Sequence, residues 1–175
     1  MIRILHAADF HLDSPFSSLA PAQAAQRRRE QRQALEQLAA LCNENHCDLL
    51  LLSGDLFDSK RVYRDTLEAL LQFFTACRAE IFIAPGNHDY LAPGSPYLTE
   101  TFPDNVHIFS SPRVECVNLP QCNVYGAAFS SAQCAPLLRG FRVDDPSAVN
   151  LMVLHGDALQ PNSPYNPISR EEIAA

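Results

Sequence analysis

Residues 49–58 of the chain read LLLLSGDLFD. An uninterrupted apolar run that ends in glycine and aspartate is typical of a strand buried on both faces of a sheet. Ligands of open α/β sheets gather at the carboxyl ends of the strands, so Asp55 and Asp58 are candidate site residues. The stretch therefore predicts a central strand with a polar site at its end.

Three further apolar runs end in the same way. The motif DFH at 9–11 follows the run at 2–8, GNHD at 86–89 follows the run at 81–84, and HGD at 155–157 follows the run at 151–154. A single run of this kind could equally be part of a buried helix. Four runs that all end in metal-competent residues make strands the better interpretation.

The segments between the first three runs predict helices that cross between parallel strands. Residues 22–46 contain almost no helix breakers, and Leu35, Leu38 and Cys42 recur at helical spacing. Residues 64–79 repeat this apolar pattern. We therefore expect the order βαβαβ in the first half of the chain.

The second half of the chain predicts a different sheet. Short strand patterns at 106–109, 114–117 and 124–129 are separated by proline-containing loops, which is typical of more antiparallel strands. Together the two halves predict an α/β fold of two packed mixed β-sheets flanked by helices.

Composition favours one domain over residues 1–175. The net charge of −7 lacks the broad basic signal of many nucleic-acid-binding proteins. No apolar run approaches membrane-spanning length, and Asp9 and His11 interrupt the only stretch that could form a secretion leader. The six cysteines form no Cys-x-x-Cys pair, which favours reduced thiols. We expect a cytoplasmic protein without membrane contact.

The polar residues of the four motifs suit divalent cations. Asp9 and His11 can converge on one cation, and Asp55 has two carboxylate oxygens that can bridge two cations. Asn87 and His155 would complete the second position. A mixed set of aspartate, histidine and asparagine favours manganese, iron or zinc in a reactive site over a structural zinc site. Two ions roughly 3.5 to 4 Å apart can clamp a phosphate, generate a hydroxide and stabilise in-line displacement.

The four motifs, in this order, resemble those of the calcineurin-like metallophosphoesterases. Within that superfamily, the stretches at 4–16 and 54–58 look most like the bacterial SbcD-like DNA-repair exonucleases and their Mre-type relatives. The resemblance extends from Met1 to about Ala175. It implies the four-layer sandwich of that superfamily, two metal ions that are most often manganese, a DNA substrate and an SMC-like ATPase partner that binds through segments beyond this chain.

The resemblance also implies roles for individual residues. Asp9 and His11 would bind the first metal, Asp55 would bridge, and Asn87 and His155 would bind the second.

His88 would be the catalytic residue, which protonates the leaving oxygen or stabilises its charge. Asp58 matches the carboxylate that orients this histidine in the phosphatase branch, although the exonuclease branch often has histidine there. Asp89 and Asp157 would support the ligands from outside the first coordination sphere.

One expected motif is missing. The family has a further Gly-His-x-His motif whose histidines complete the two metal sites, but no histidine follows His155. Ser169 and Glu172 form a capping-box pattern for a helix that is just beginning. We therefore expect a fragment truncated at the carboxyl end, with five of the seven ligands of the family.

Three functions are open at this point. The first is a metal-dependent phosphodiesterase that acts on DNA ends as an exonuclease or endonuclease in double-strand-break repair. The second is a phosphomonoesterase or small-nucleotide phosphodiesterase with the same site. The third is a non-catalytic binding domain, because two ligand histidines are absent.

Other polar and aromatic residues have structural interpretations. We expect His6 to face the core from the first strand, and His46 and His107 to be structural. Arg27, Arg28, Arg29 and Arg32 could contact a DNA backbone, but arginines on a helix more often form a solvated face. Similarly, Tyr90, Tyr97 and Phe102 could stack on bases, but anchoring of their loop is the simpler role. We also expect Cys42 and Cys47 to be free thiols.

Overall fold

A computed structural model describes residues 1–59 and 61–174. The elements follow in the order β1 (Ile4–Ala7), α1 (Pro21–Glu44), β2 (Leu49–Leu52), α2 (Arg64–Ala76), β3 (Glu80–Ile83), α3 (Pro96–Thr99), β4 (Val106–Ile108), β5 (Glu115–Asn118), β6 (Asn123–Gly126), β7 (Asn150–Val153) and α4 (Arg170–Ala174).

The strands form two sheets. In the first sheet, β1, β2, β3 and β4 lie side by side in that order and are all parallel. In the second sheet, β5 and β6 are antiparallel and β6 and β7 are parallel, so the mixed pairing lies in this sheet. Two sheets with flanking helices and the βαβαβ order of the first half are confirmed.

The leucine run of β2 lies at the centre of the core. Leu50 and Leu52 belong to the apolar cluster between the first sheet and helices α1 and α2. Leu49 and Leu51 point the other way and belong to the cluster between the two sheets. Successive side chains of a strand alternate between faces, so a strand covered on both sides is apolar at every position.

Strand β1 is less covered than β2. It forms one edge of the first sheet, and its register aligns Ile4 with Leu49 and His6 with Leu51. The second sheet covers the leucines, whereas Ile4 is 39% exposed and His6 is exposed. The expectation that His6 faces the core is therefore wrong. Its Nε2 instead lies 3.0 Å from the Ser53 hydroxyl.

The loop after β3 is anchored by its aromatic side chains. Tyr97 is buried, and its ring centroid lies 6.4 Å from that of Phe102, which in turn lies 5.9 Å from that of Phe74. This confirms an anchoring role for Tyr97 and Phe102. His107 also has a structural role, because it pairs with Glu80 at 3.0 Å.

One helix end agrees with a local sequence signal, and another does not. Ser169 and Glu172 exchange the two hydrogen bonds of a capping box at the start of α4. Helix α2 ends at Ala76, before the predicted residue 79, because Cys77 is extended with φ −77° and ψ 129°.

All six cysteines are free thiols. Within the described ranges, no helix is both long and apolar enough to cross a bilayer.

Replacing Leu50 with alanine tests the buried leucine strand. Leu50 is fully buried, so Leu50→Ala should lower the free energy of unfolding by about 2–5 kcal/mol through lost burial and a residual cavity. Leu41→Ala is the matched control, since Leu41 is 47% exposed on α1. Urea denaturation followed by circular dichroism measures both changes. Equal effects of the two substitutions would contradict the assignment of β2 to the core.

Candidate metal centre

The predicted ligands meet at one edge of the two sheets. Asp9 follows β1, Asp55 follows β2, Asn87 and His88 follow β3, and His155 follows β7. Two groups of possible ligand atoms form there, each with its atoms within 4.8 Å of one another. One group comprises His11, Asp55 and His88, and the other comprises Asp9, Asp55 and His155.

Asp55 lies at the centre of both groups. Its side chain is only 5% exposed, and its Oδ2 lies 3.7 Å from Nε2 of His11 and 3.5 Å from Nε2 of His155. Its Oδ1 accepts a hydrogen bond from the backbone N–H of His88 at 3.0 Å. A buried carboxylate with nitrogen donors on two sides is the arrangement of a bridging ligand.

The three histidines of the site share one hydrogen-bonding pattern. Nδ1 of His11 lies 3.0 Å from Oδ1 of Asp58, Nδ1 of His88 lies 3.1 Å from the Asp58 carbonyl, and Nδ1 of His155 lies 3.1 Å from the Ser53 carbonyl. An oxygen acceptor at Nδ1 favours the tautomer with its proton there, which leaves the Nε2 lone pair available to a cation.

The predicted ligand Asn87 faces His155. Nε2 of His155 lies 2.9 Å from Oδ1 of Asn87. With the His155 proton on Nδ1, both atoms are acceptors, and a cation held between them would satisfy both. The aspartate, asparagine and histidine donors around Asp55 therefore fit divalent cations, and the atoms are hard oxygens and borderline nitrogens without thiolates.

The structure groups Asp9 differently from the sequence expectation. Asp9 lies with Asp55 and His155, whereas His11 lies with Asp55 and His88. The reason is the path of the backbone, because the N–H groups of Asp9 and His11 donate to the carbonyls of Gly54 and Asp55. The two side chains therefore enter the site at successive positions along the loop after β2.

Asp58 contacts two histidines in different ways. Its carboxylate lies 3.0 Å from Nδ1 of His11 but 3.9 Å from Nδ1 of His88, which is closer to the Asp58 backbone carbonyl. The structure thus places the Asp58 carboxylate beside His11 and its carbonyl beside His88. The orienting role expected for the Asp58 side chain on His88 stays a prediction.

Unusual backbone conformations occur at three of the predicted ligands. Asp9, His11 and Asp55 have φ values of 56°, 45° and 53°, in the left-handed region that non-glycine residues rarely adopt. Such conformations cost free energy and persist where the surroundings fix them, as at functional sites. These backbone conformations direct the side chains of Asp9, His11 and Asp55 into the same part of the site.

Two glycines make this close approach possible. A Cβ atom at Gly54, which has φ +82°, would lie 2.5 Å from Cβ of His155. A Cβ atom at Gly86 would collide with Oδ1 of Asp55 and lie 2.7 Å from its backbone nitrogen. The glycines that precede Asp55 and Asn87 in the two motifs are therefore packing requirements of the site.

Asp89 fixes the loops that carry the ligands. Its buried carboxylate accepts five hydrogen bonds, from the backbone N–H groups of Gly86, Asp55, Leu56 and Phe57 and from the Tyr97 hydroxyl. Burial raises the pKa of the Asp89 carboxyl, and the hydrogen bonds from Tyr97 and Gly86 oppose that shift. This is the supporting role expected for Asp89.

Asp157 contacts its own turn. Its Oδ1 accepts hydrogen bonds from the N–H groups of Leu159 and Gln160, which hold the pKa of its carboxyl below the ordinary value. The support that Asp157 is expected to give to the ligands stays a prediction.

Two positioning residues were missed by sequence reasoning. Asn166 is fully buried with φ 48°, and its Nδ2 donates to the His155 carbonyl at 2.8 Å while its Oδ1 accepts from the Leu137 N–H. Gln31 of α1 donates from Nε2 to the carbonyls of Phe10 and His11. Neither residue belongs to a motif, and only its position in the fold identifies it.

Replacing Asp89 with asparagine should destabilise the protein. The amide would place an NH₂ group against backbone donors, so we expect the free energy of unfolding to fall by roughly 3 kcal/mol. Tyr97→Phe is the matched control, because it removes one of the five donors and should cost about 1 kcal/mol. Chemical denaturation measures both values. A smaller loss for Asp89→Asn than for Tyr97→Phe would contradict the role of Asp89.

Replacing Asn166 with alanine should loosen His155. We expect manganese affinity, measured by electron paramagnetic resonance of free Mn²⁺, to fall about 10- to 100-fold, as for other residues that orient metal ligands. Asn162→Ala, at an exposed position of the same segment, should leave the affinity unchanged. Equal affinities of the two variants would show that Asn166 does not position His155.

Comparisons with known proteins agree with the geometry. The model of the family described as calcineurin-like phosphoesterase matches residues 2–167. An uncharacterized metallophosphoesterase, YhaO of Bacillus subtilis, is 28% identical over 98% of this chain and 45% of its own length. One of the subunits of the nuclease SbcCD of Bacillus subtilis is 26% identical over 67% of this chain and 30% of its own length. The chain thus spans less than half the length of these curated relatives. With a matching family model over nearly its whole length, this chain belongs to the calcineurin-like phosphoesterase family.

Proposed function

We propose that this chain carries the catalytic residues of a metal-dependent phosphodiesterase that cleaves DNA as an exonuclease or endonuclease. Membership of the phosphoesterase family supports hydrolysis of phosphate esters. The nuclease among the relatives supports DNA as the substrate. An SMC-like ATPase partner, engaged outside this chain, is part of the same proposal.

The observation that carries the proposal is the environment of Asp55. One buried carboxylate is faced by Nε2 atoms of His11 and His155, and each of these rings has an oxygen acceptor at Nδ1. Two divalent cations bound there would supply the charge that polarises a phosphodiester and activates water. The chain supplies the ligands and fixes their orientation through Asp89 and Asn166.

His88 is placed to move a proton. Its Nδ1 is held by the Asp58 carbonyl, so its Nε2 is the nitrogen available to a substrate. The side chain is 42% exposed, and its ring packs edge-on against His11 with centroids 4.7 Å apart. When the ring is protonated on both nitrogens, it can donate its Nε2 proton to the leaving oxygen while Nδ1–H stays bonded to the Asp58 carbonyl, and such a group contributes typically about 10²- to 10⁴-fold to the rate.

The exposure of the site favours a large substrate. Asp9 and His88 are exposed although Asp55 between them is buried. A phosphate can therefore bind at the site while the groups attached to it stay in solvent, as a DNA strand requires. A small-nucleotide or phosphomonoester substrate remains the alternative and is separated by the choice of substrate in the test.

The test compares three substrates with manganese: linear DNA, a bis-aryl phosphodiester and an aryl phosphomonoester. We expect the manganese-loaded protein to hydrolyse DNA and the diester. His88→Asn should lower turnover about 10²- to 10⁴-fold while metal content, measured by elemental analysis, stays the same.

Asp55→Asn is the comparison variant for metal binding and should lose metal. Loss of metal in His88→Asn as well would make His88 a ligand, which its grouping with His11 and Asp55 allows. Cleavage of the monoester alone would contradict the nuclease proposal and favour the phosphomonoesterase.

A further inference from the structure

Two loops leave the metal centre side by side. One begins at His11, and the other begins at Asp58. The Asp58 N–H donates to the Leu12 carbonyl, and the Tyr63 N–H donates to Oδ2 of Asp13 at 2.7 Å. These two hydrogen bonds join the loops at Asp58, beside the predicted ligands, and again at Tyr63.

Arg28 of α1 lies against this surface. Its Nη1 lies 3.4 Å from the carbonyls of both Ser14 and Pro15, and its guanidinium carbon lies 5.8 Å from the centroid of the Tyr63 ring. Tyr63 is 56% exposed, so one face of an aromatic ring remains open beside the cation. The guanidinium is thereby fixed in position before any ligand arrives.

Three nearby arginines, unlike Arg28, pair with carboxylates. Arg27 pairs with Glu30 at 2.7 Å, Arg32 pairs with Asp65 at 3.3 Å, and Arg64 pairs with Glu68 at 2.9 Å. Within the described part of the chain, no carboxylate pairs with Arg28 or with the exposed Arg61. These two positive charges are uncompensated on a chain whose net charge is −7.

Arg61 lies in the loop between Asp58 and Tyr63. Its backbone N–H donates to the Ser59 hydroxyl, which in turn donates to the Arg61 carbonyl. The Arg61 side chain is exposed. We call Arg28, Arg61 and Tyr63 the basic ledge.

We propose that the basic ledge binds the sugar-phosphate backbone of a DNA strand whose neighbouring phosphodiester lies at the metal centre. This inference rests on the proposed function and deepens it, because it selects a polymer over a small phosphate ester. Guanidinium groups contact phosphate oxygens with several donors, and an open aromatic face accepts a base or sugar. Phosphate contacts of this kind position a strand without reading its sequence.

Binding of a fluorescein-labelled oligonucleotide in EDTA tests the ledge apart from the chemistry. Arg28→Gln and Arg61→Gln should each weaken binding several-fold and reduce the slope of log K against log salt concentration by about 1. Tyr63→Leu should weaken binding about tenfold. Arg27→Gln is the matched control, because it removes the same charge from the same helix at a position already paired with Glu30.

Arg61→Gln should not affect folding, because the Arg61 side chain has no hydrogen bond or ion pair among the described residues. Arg28, in contrast, supports a loop, so Arg28→Gln could also weaken binding through misfolding. Thermal unfolding should give the same midpoint for Arg61→Gln and the unmodified protein. Unchanged oligonucleotide binding in Arg61→Gln and Arg28→Gln, or equal weakening in Arg27→Gln, would overturn the ledge.

Hydrolysis by the manganese-loaded protein separates the two proposals. The ratio of kcat/KM for DNA to that for the bis-aryl diester should fall in the ledge variants. If the ledge variants cleave DNA as efficiently as the unmodified protein, this inference is overturned and the proposed function stays intact. Hydrolysis of no ester, with binding that still depends on the ledge, would contradict the proposed function and retain the ledge as a DNA-binding surface.

Discussion

The site depends on one buried carboxylate that is not expected to touch metal or substrate. Asp89 collects five hydrogen bonds from the loops after β2 and β3 and from the Tyr97 hydroxyl. A carboxylate taken out of water is costly unless its oxygens are fully bonded. Here the bonding partners are the backbone of the ligand-bearing loops, so satisfying the buried charge and fixing the ligands are one requirement.

That requirement explains how the site tolerates its strained backbone. Left-handed conformations at Asp9, His11 and Asp55 would each relax if their loops were free. The N–H groups of Asp9 and His11 donate to the carbonyls of Gly54 and Asp55, and the Asp55 N–H donates to the Asp89 carboxylate. These hydrogen bonds hold the three residues in place. The glycines at 54 and 86 then let His155 and Asp55 approach within contact distance.

The strands and the motifs could be predicted from the sequence because both are local patterns. The leucine run of β2 and the residues that follow each strand depend only on alternation and on chain order. The exposure of His6 depends on which strand forms the sheet edge, and the grouping of Asp9 with His155 depends on loop register. Asn166 was missed because a buried asparagine with a left-handed backbone carries no periodic signal. Contacts between distant segments decide all three.

The position of β1 at the sheet edge has a consequence for the order in which the centre is assembled. Asp9 follows the strand with the least cover, whereas Asp55 follows the strand with the most. Local opening of β1 would remove Asp9 from the site while leaving Asp55 in place. A cation bound by Asp9 would therefore add its binding free energy to the stability of the edge strand. Occupancy of the centre and amide protection of β1 would then form a single linked equilibrium, in which metal binding slows amide exchange in this strand.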